Sequence, residues 1–267
     1  MQILFLVMLF ILGACFGSFL CCQARRLRLK STRHKSLGSR SVCLSCKTQL
    51  KWYDNIPIIS WLILRGKCRH CGKKIGLMEL LSELGLALGF LLLGTTINIT
   101  TAGIAEWGIF VVILLLTLSL GFLAIYDGAY GELPTSILLL SILLAAIVLG
   151  LREWVWLSEA DFTMEFILDP LASVLILGGL YLLLYLISRG KWVGDGDWIL
   201  GVAIGLALAS PWLAIFTLFI ANFLACIIML PTMKSQKSHK IHLGPFLVIA
   251  FVIAYSLSDF IMNLIVI

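Results

Sequence analysis

Asp127 and Asp197 carry most of the chemical potential of this chain, because each falls at the end of a long apolar run. The first lies in Tyr126-Asp127-Gly128-Ala129-Tyr130-Gly131-Glu132-Leu133-Pro134, the second in Gly194-Asp195-Gly196-Asp197. Ionisable groups at bilayer depth are costly enough to mark functional sites. Two carboxylates on one membrane face can hydrolyse an amide. One, ionised, takes a proton from water while the other, protonated, polarises the scissile carbonyl. Such a pair titrates as a unit, since like charges in contact do not both ionise readily. Gly194 and Gly196, lacking Cβ atoms, would let a substrate strand come close. Asp195 and Glu132 compete for the catalytic assignment, and the plain alternative is that Asp127 and Asp197 are ordinary interfacial loop acids in water.

A second constellation is Cys43-x-x-Cys46 with Cys68-x-x-Cys71, separated by 21 residues. Four thiolates in two knuckles match a closed tetrahedral zinc site with no open coordination position, hence a structural rather than catalytic metal. Two disulfides are the alternative, but the loop is expected in a reducing compartment. His70 lies inside the second knuckle as a possible substitute ligand. Cys15, Cys21, Cys22 and Cys226 fall in or beside apolar runs and are expected to pack there.

The elements that position these groups must be membrane helices. The chain is 61% hydrophobic and only 13% charged, with a mean hydropathy of +1.06; a soluble domain of this length is about half apolar and about a quarter charged. The expected fold is all-α and polytopic, with about eight transmembrane helices and a small zinc-binding loop domain. Apolar runs fall near 3–22, 79–96, 107–126, 135–151, 170–188, 197–210, 212–230 and 245–265. The sixth is short, and Ser210-Pro211 alone divides it from the seventh. No low-complexity tract or internal repeat stands out. The chain divides into a first span (1–22), a cytoplasmic domain with the four cysteines (23–78) and a transmembrane core (79–267).

Charge sets the orientation. Between Gln23 and Leu80 lie 14 of the 20 Lys and Arg, against two acids, Asp54 and Glu79. Short loops rich in Lys and Arg stay inside, so this block reads as cytoplasmic and the N-terminus as outside. Arg189 and Lys191, then Lys234, Lys237 and Lys240, fall on the same side. Glu106, Glu153, Glu159, Asp161 and Glu165 fall opposite, with Arg152 the one cation there. No nucleic-acid-binding fold accompanies the basic block, which implies membrane lipid rather than nucleic acid as its neighbour. The N-terminal run lacks a positive n-region and reads as a retained span. This topology puts Asp127 and Asp197 at the same cytoplasmic membrane edge.

Several motifs, in order, resemble the type IV prepilin peptidases. They are Gly17-Ser18-Phe19-Leu20, the cysteine knuckles, and Trp52-Tyr53-Asp54-Asn55-Ile56-Pro57 with Ser60-Trp61. Glu79-Leu80-Leu81-Ser82, the two aspartate motifs and Gly244-Pro245-Phe246 follow. The resemblance implies a bacterial inner-membrane aspartyl protease with a GxGD motif, Asp127 and Asp197 being its catalytic pair. It implies cleavage of the short basic leader of prepilins or pseudopilins after Gly. It also implies methylation of the new N-terminus by S-adenosylmethionine, an activity associated with the cysteine-bearing loop and zinc. Two positions depart from the family pattern: Cys21 stands where Asn is common, and Ile199 where Lys is typical. Among the few acids facing a basic leader, Glu79 is a candidate substrate contact or the partner of a helix start, whereas Asp54 reads as a turn cap. The other functional classes open to such a chain are an ion-coupled transporter with a regulatory zinc knuckle and a non-catalytic secretion assembly factor.

Overall fold

A computed structural model of the chain describes residues 1–28, 41–43, 45–157, 164–233 and 242–265. Glu159, Asp161, Lys234, Lys237 and Lys240, used above for orientation, lie outside the described residues. The chain forms two compact units, Met1–Gly94 and Thr95–Ile267.

In the first unit, α1 (Gln2–Arg28) packs along α3 (Leu77–Gly94). The buried stripe of α1 runs through Leu9, Gly13, Ala14, Gly17, Cys21 and Ala24, while Ile3, Leu4, Met8, Ile11 and Leu12 remain exposed. The spacing of Gly13 and Gly17 is the small-residue pattern that lets membrane helices touch backbone to backbone. A Cβ on Gly17 would lie 2.6 Å from the Glu83 Cα. Between the two helices come the knuckles, a 3-10 turn (Trp52–Asn55) and the short α2 (Ile59–Ile63).

The second unit is a helical bundle. It contains α4 (Ile104–Tyr130), α5 (Thr135–Leu157), and a continuous rod made of α6 (Glu165–Val174), a π segment (Leu175–Gly179) and α7 (Leu180–Ser188). Then follow α8 (Asp197–Leu208), α9 (Pro211–Met233), α10 (Gly244–Ser256) and α11 (Ser258–Ile265). Its core holds Leu116, Leu120, Leu123, Leu200, Ile204, Leu247 and Phe251, all fully buried. Leu139, Leu143, Phe219, Phe223 and Ile227 are exposed instead. An outer surface this apolar suits lipid, not water. Hydroxyls in the interior are satisfied locally, as where Ser141 donates to Ser119 at 3.0 Å between α5 and α4. The protein is therefore an all-α membrane protein, with a cysteine cluster that could hold a metal.

Each apolar run of the sequence is helical, yet the spans are not equivalent. Among the described residues six helices are long and apolar enough to cross a membrane, and a seventh results if α10 and α11, bent by 69°, count as one. The eighth, α8, has 12 residues, about 18 Å at 1.5 Å each, short of a hydrocarbon core of about 30 Å. Its ends survive because protein surrounds them. Arg152 on α5 donates to the carbonyls of Ala207 and Leu208 at 3.4 and 3.1 Å, filling the C-terminal acceptors of α8. Along its length, a Cβ on Gly201 or Gly205 would meet backbone of the α6–π rod at 2.8–2.9 Å. Non-helical backbone at membrane depth is tolerated only in such protein-lined surroundings.

Candidate active site and metal centre

Three helix ends meet around the aspartates. Asp127 lies in the last turn of α4, which Gly131 ends in a left-handed cap with its N–H on the Asp127 carbonyl at 2.7 Å. Asp197 is the first residue of α8. Packed against both α4 and α8 is α10, whose first residue is Gly244. The Gly244 N–H donates to Asp127 Oδ2 at 3.0 Å, and His242 Nδ1 lies 3.5 Å from Oδ1. The Gly194 N–H donates to Asp197 Oδ2 at 2.8 Å. Each carboxylate thus sits at the N-terminus of a helix, where unpaired N–H groups and the helix dipole favour negative charge.

Burial separates these acids from their competitors. Asp127 and Asp197 are 5% and 3% exposed, whereas Asp195 and Glu132 face solvent. The two motifs also touch: a Cβ on Gly196 would lie 2.7 Å from the Leu133 Cβ. The space beside Gly196 is therefore filled by Leu133, and that beside Gly194 by the Asp197 carboxylate, 3.2 Å from where a Cβ would be. His242 carries no motif signal, and its place beside Asp127 was not legible in the sequence. The side of the α10 start on which it lies could be found only with the fold in hand.

In the first unit the Sγ atoms of Cys43, Cys46, Cys68 and Cys71 lie within 4.8 Å of one another. The knuckles are copies. Cys43 N–H bonds the Thr48 carbonyl and Lys47 N–H the Cys43 carbonyl; 25 residues on, Cys68 N–H bonds Lys73 and Gly72 N–H bonds Cys68. Antiparallel bridges Val42–Gln49 and Lys67–Lys74 close both, and Lys47 and Gly72 share the left-handed turn position at φ 57° and 68°. The repeat lies in hydrogen bonding more than in residue identity. The thiols hold their protons unequally. The Thr48 hydroxyl and N–H pull Cys46 down to about 6, and the N–H groups of Cys71 and His70 lower Cys68. At Cys71 the Lys73 N–H acts downward, but burial and the facing sulfurs outweigh it and push the thiol up to about 11.

The remaining acids of this unit are held by protein. Asp54 accepts from Arg69 Nε at 2.8 Å and from the Lys51 N–H at 3.3 Å, tying the 3-10 turn to the second knuckle. Glu79 pairs with Arg25 across α3 and α1. Glu83, not singled out by the sequence, is 7% exposed and accepts the Ile58 N–H at 2.7 Å. Ile58 has φ 62° and ψ −55°, a region that a β-branched residue occupies only when its surroundings force it.

A polytopic helical bundle with two buried aspartates, joined in one chain to a four-thiol centre, defines the class of membrane protein. Residues 11–97 match the family described as Bacterial Peptidase A24 N-terminal domain. The chain is 45% identical over 87 residues to the prepilin leader peptidase/N-methyltransferase of Myxococcus xanthus, a match spanning 33% of this chain and 25% of that protein. The Vibrio cholerae protein of the same name is 40% identical over 83 residues, 31% of this chain and 33% of the relative. With the Klebsiella pneumoniae relative the match is 30% over 218 residues, covering 76% of this chain and 90% of that protein. The chain belongs to the prepilin leader peptidase/N-methyltransferase family. No solved structure matches it.

Proposed function

We propose that this protein is a membrane-embedded aspartyl endopeptidase. It removes the short basic leader of a type IV prepilin or pseudopilin and then methylates the new N-terminal amine, with S-adenosylmethionine as donor. The supporting observation is the contact between Leu133 and Gly196, which joins two segments that each bury one carboxylate beside a helix N-terminus. Asp127 and Asp197 form the catalytic pair. One takes a proton from water, and the other, protonated, donates to the scissile carbonyl. A prepilin has an apolar stem that can lie in the bilayer, which brings its scissile bond to the membrane edge at helix ends such as these. The ion-coupled transporter and the non-catalytic assembly factor find no support among the relatives.

The four thiols suit structural zinc. Zn–S bonds of about 2.3 Å at tetrahedral angles put sulfurs about 3.8 Å apart, and the Cys43 and Cys71 sulfurs are 3.9 Å apart. Cys43, Cys46, Cys68 and Cys71 would hold the ion, which would fix the two knuckles against each other. The orientation that fits the charges is the bacterial inner membrane, with the N-terminus outside and the metal loop in the cytoplasm. The test is co-expression with a prepilin, scored by mass spectrometry. Asp127→Asn and Asp197→Asn should each abolish leader removal with protein level and zinc content unchanged; cleavage by either variant would end the assignment.

A further inference from the structure

A cleft of about 1290 Å³ opens in the first unit between α1, α3, the 3-10 turn and α2. It is large for a small-molecule site, which usually takes roughly 300–1000 Å³. Three of its walls have unfinished polar chemistry. The Gln23 Nε2 and the Trp61 Nε1 are buried and have no hydrogen-bond partner. Buried donors are nearly always satisfied, so two orphans in one cleft call for acceptors from outside the chain. The third is Glu83. Its neighbours Glu79 and Asp54 are taken up by Arg25 and Arg69, but among the described residues no cation pairs with Glu83. The Ile58 N–H and the Ser18 hydroxyl bond to it. A carboxylate has about four acceptor positions, so capacity remains for a cationic or N–H-bearing ligand.

The aromatic residues set the rest. Trp52 and Tyr53 stand edge to face at 5.6 Å beside the cleft. Arg69 and Lys51 already lie over the Tyr53 ring at 5.2 and 5.6 Å, which leaves the Trp52 face for an organic cation. Trp61 is braced from the second knuckle, since its ring lies 2.8 Å from where a Gly66 Cβ would be. A buried carboxylate, the Trp52 face and N–H donors together suit two reactants: a terminal amine, and a sulfonium donor bearing hydroxyl, ring-nitrogen or carboxylate acceptors.

We infer that this cleft is the methyl-transfer site, with Glu83 as the residue that binds the peptide's terminal ammonium and takes its proton, and with Gln23 and Trp61 as donors to the methyl donor. The inference rests on the methyltransferase half of the proposed function. The ammonium gives one proton to the Glu83 carboxylate. The freed lone pair forms the N–C bond, and the S–C bond breaks with its electrons going to sulfur, leaving a neutral thioether. Glu83 lies six residues into α3, about 9 Å from its start.

The experiment uses the full chain in membranes with a purified prepilin, reading leader removal and methylation separately by mass spectrometry. Binding of S-adenosylhomocysteine is measured alongside. Glu83→Gln keeps an acceptor for the Ile58 N–H. It should retain leader removal and bind S-adenosylhomocysteine within about twofold, while methylation falls about 100-fold or more, the usual worth of a general base. Its deficit relative to the wild type should shrink as pH rises towards about 8, where the amine deprotonates unaided; a purely structural role would leave that deficit the same at every pH. Trp61→Phe keeps the ring and should weaken S-adenosylhomocysteine binding about tenfold, one hydrogen bond's worth. Methylation by Glu83→Gln at the wild-type rate overturns the inference and leaves the proposed function standing. A wild-type product that is cleaved but never methylated overturns the inference together with the methyltransferase half of the proposed function, and leaves the endopeptidase standing.

Discussion

Leu133 lies against Gly196 so closely that a single methyl group at position 196 would come within 2.7 Å of the Leu133 Cβ. Leu133 follows the end of α4 and Gly196 precedes α8, so this contact sets how near the two aspartate-bearing segments approach. Gly196→Ala must push them apart, because Leu133 meets the new atom with its own Cβ rather than with a flexible end. Cleavage should fall about 100-fold, as expected when reacting groups shift by around 1 Å, with zinc content and helicity retained. Wild-type kcat in Gly196→Ala would mean that the contact does not govern the site.

Gly244 offers a second test from the opposite side. A Cβ there would lie 2.8 Å from Asp127 Oδ2, the oxygen that its own N–H now holds at 3.0 Å. Gly244→Ala should disturb both the hydrogen bond and the carboxylate position, giving a fall in kcat of at least about tenfold with little change in KM. The reverse pattern, a raised KM at constant kcat, would assign Gly244 to substrate binding instead.

What the sequence made legible was whatever depends on local spacing. The apolar runs are helical, the cysteine knuckles converge, and the boundary at Ser210-Pro211 falls between α8 and α9. Glu79 pairs with Arg25, and Asp54, at its turn, also holds Arg69. The unread features depend on distant residues. Arg152 stands in the sequence only as the one cation on the side opposite the Lys and Arg loops, yet it donates to carbonyls 55 and 56 residues away. Glu83 carries no motif signal, and only the approach of Ile58 from another segment distinguishes it. Hydropathy likewise counted α8 as a span, because it registers apolar length and is blind to the rod and to α5 packed around a short helix.

The role of Arg152 can be measured. Arg152→Ala leaves the last carbonyls of α8 without their donor in a place where water does not replace it. Loss of charge-assisted hydrogen bonds at a helix C-terminus costs about 1–2 kcal/mol. Thermal unfolding in detergent should shift down, with leader removal at low temperature nearly unchanged and Arg152→Lys intermediate. Equal melting temperatures for the alanine variant and the wild type would leave α8 held by packing alone.

Metal binding gives a pH dependence whose sign follows from the thiols. Each cysteine must lose its proton to ligate, so apparent affinity falls as pH falls. Near neutral pH Cys46, at about 6, is already largely thiolate, whereas Cys71, at about 11, keeps its proton until a metal displaces it. At least one proton is therefore released per ion, and zinc affinity should rise about tenfold or more for each pH unit between 6.5 and 8.5. Cys71→Ser removes the ligand that releases that proton. It should lower affinity most at high pH and flatten the slope by about one proton. A competition titration with a chromophoric chelator reads both quantities, and an unchanged slope in Cys71→Ser would place the displaced proton on another group.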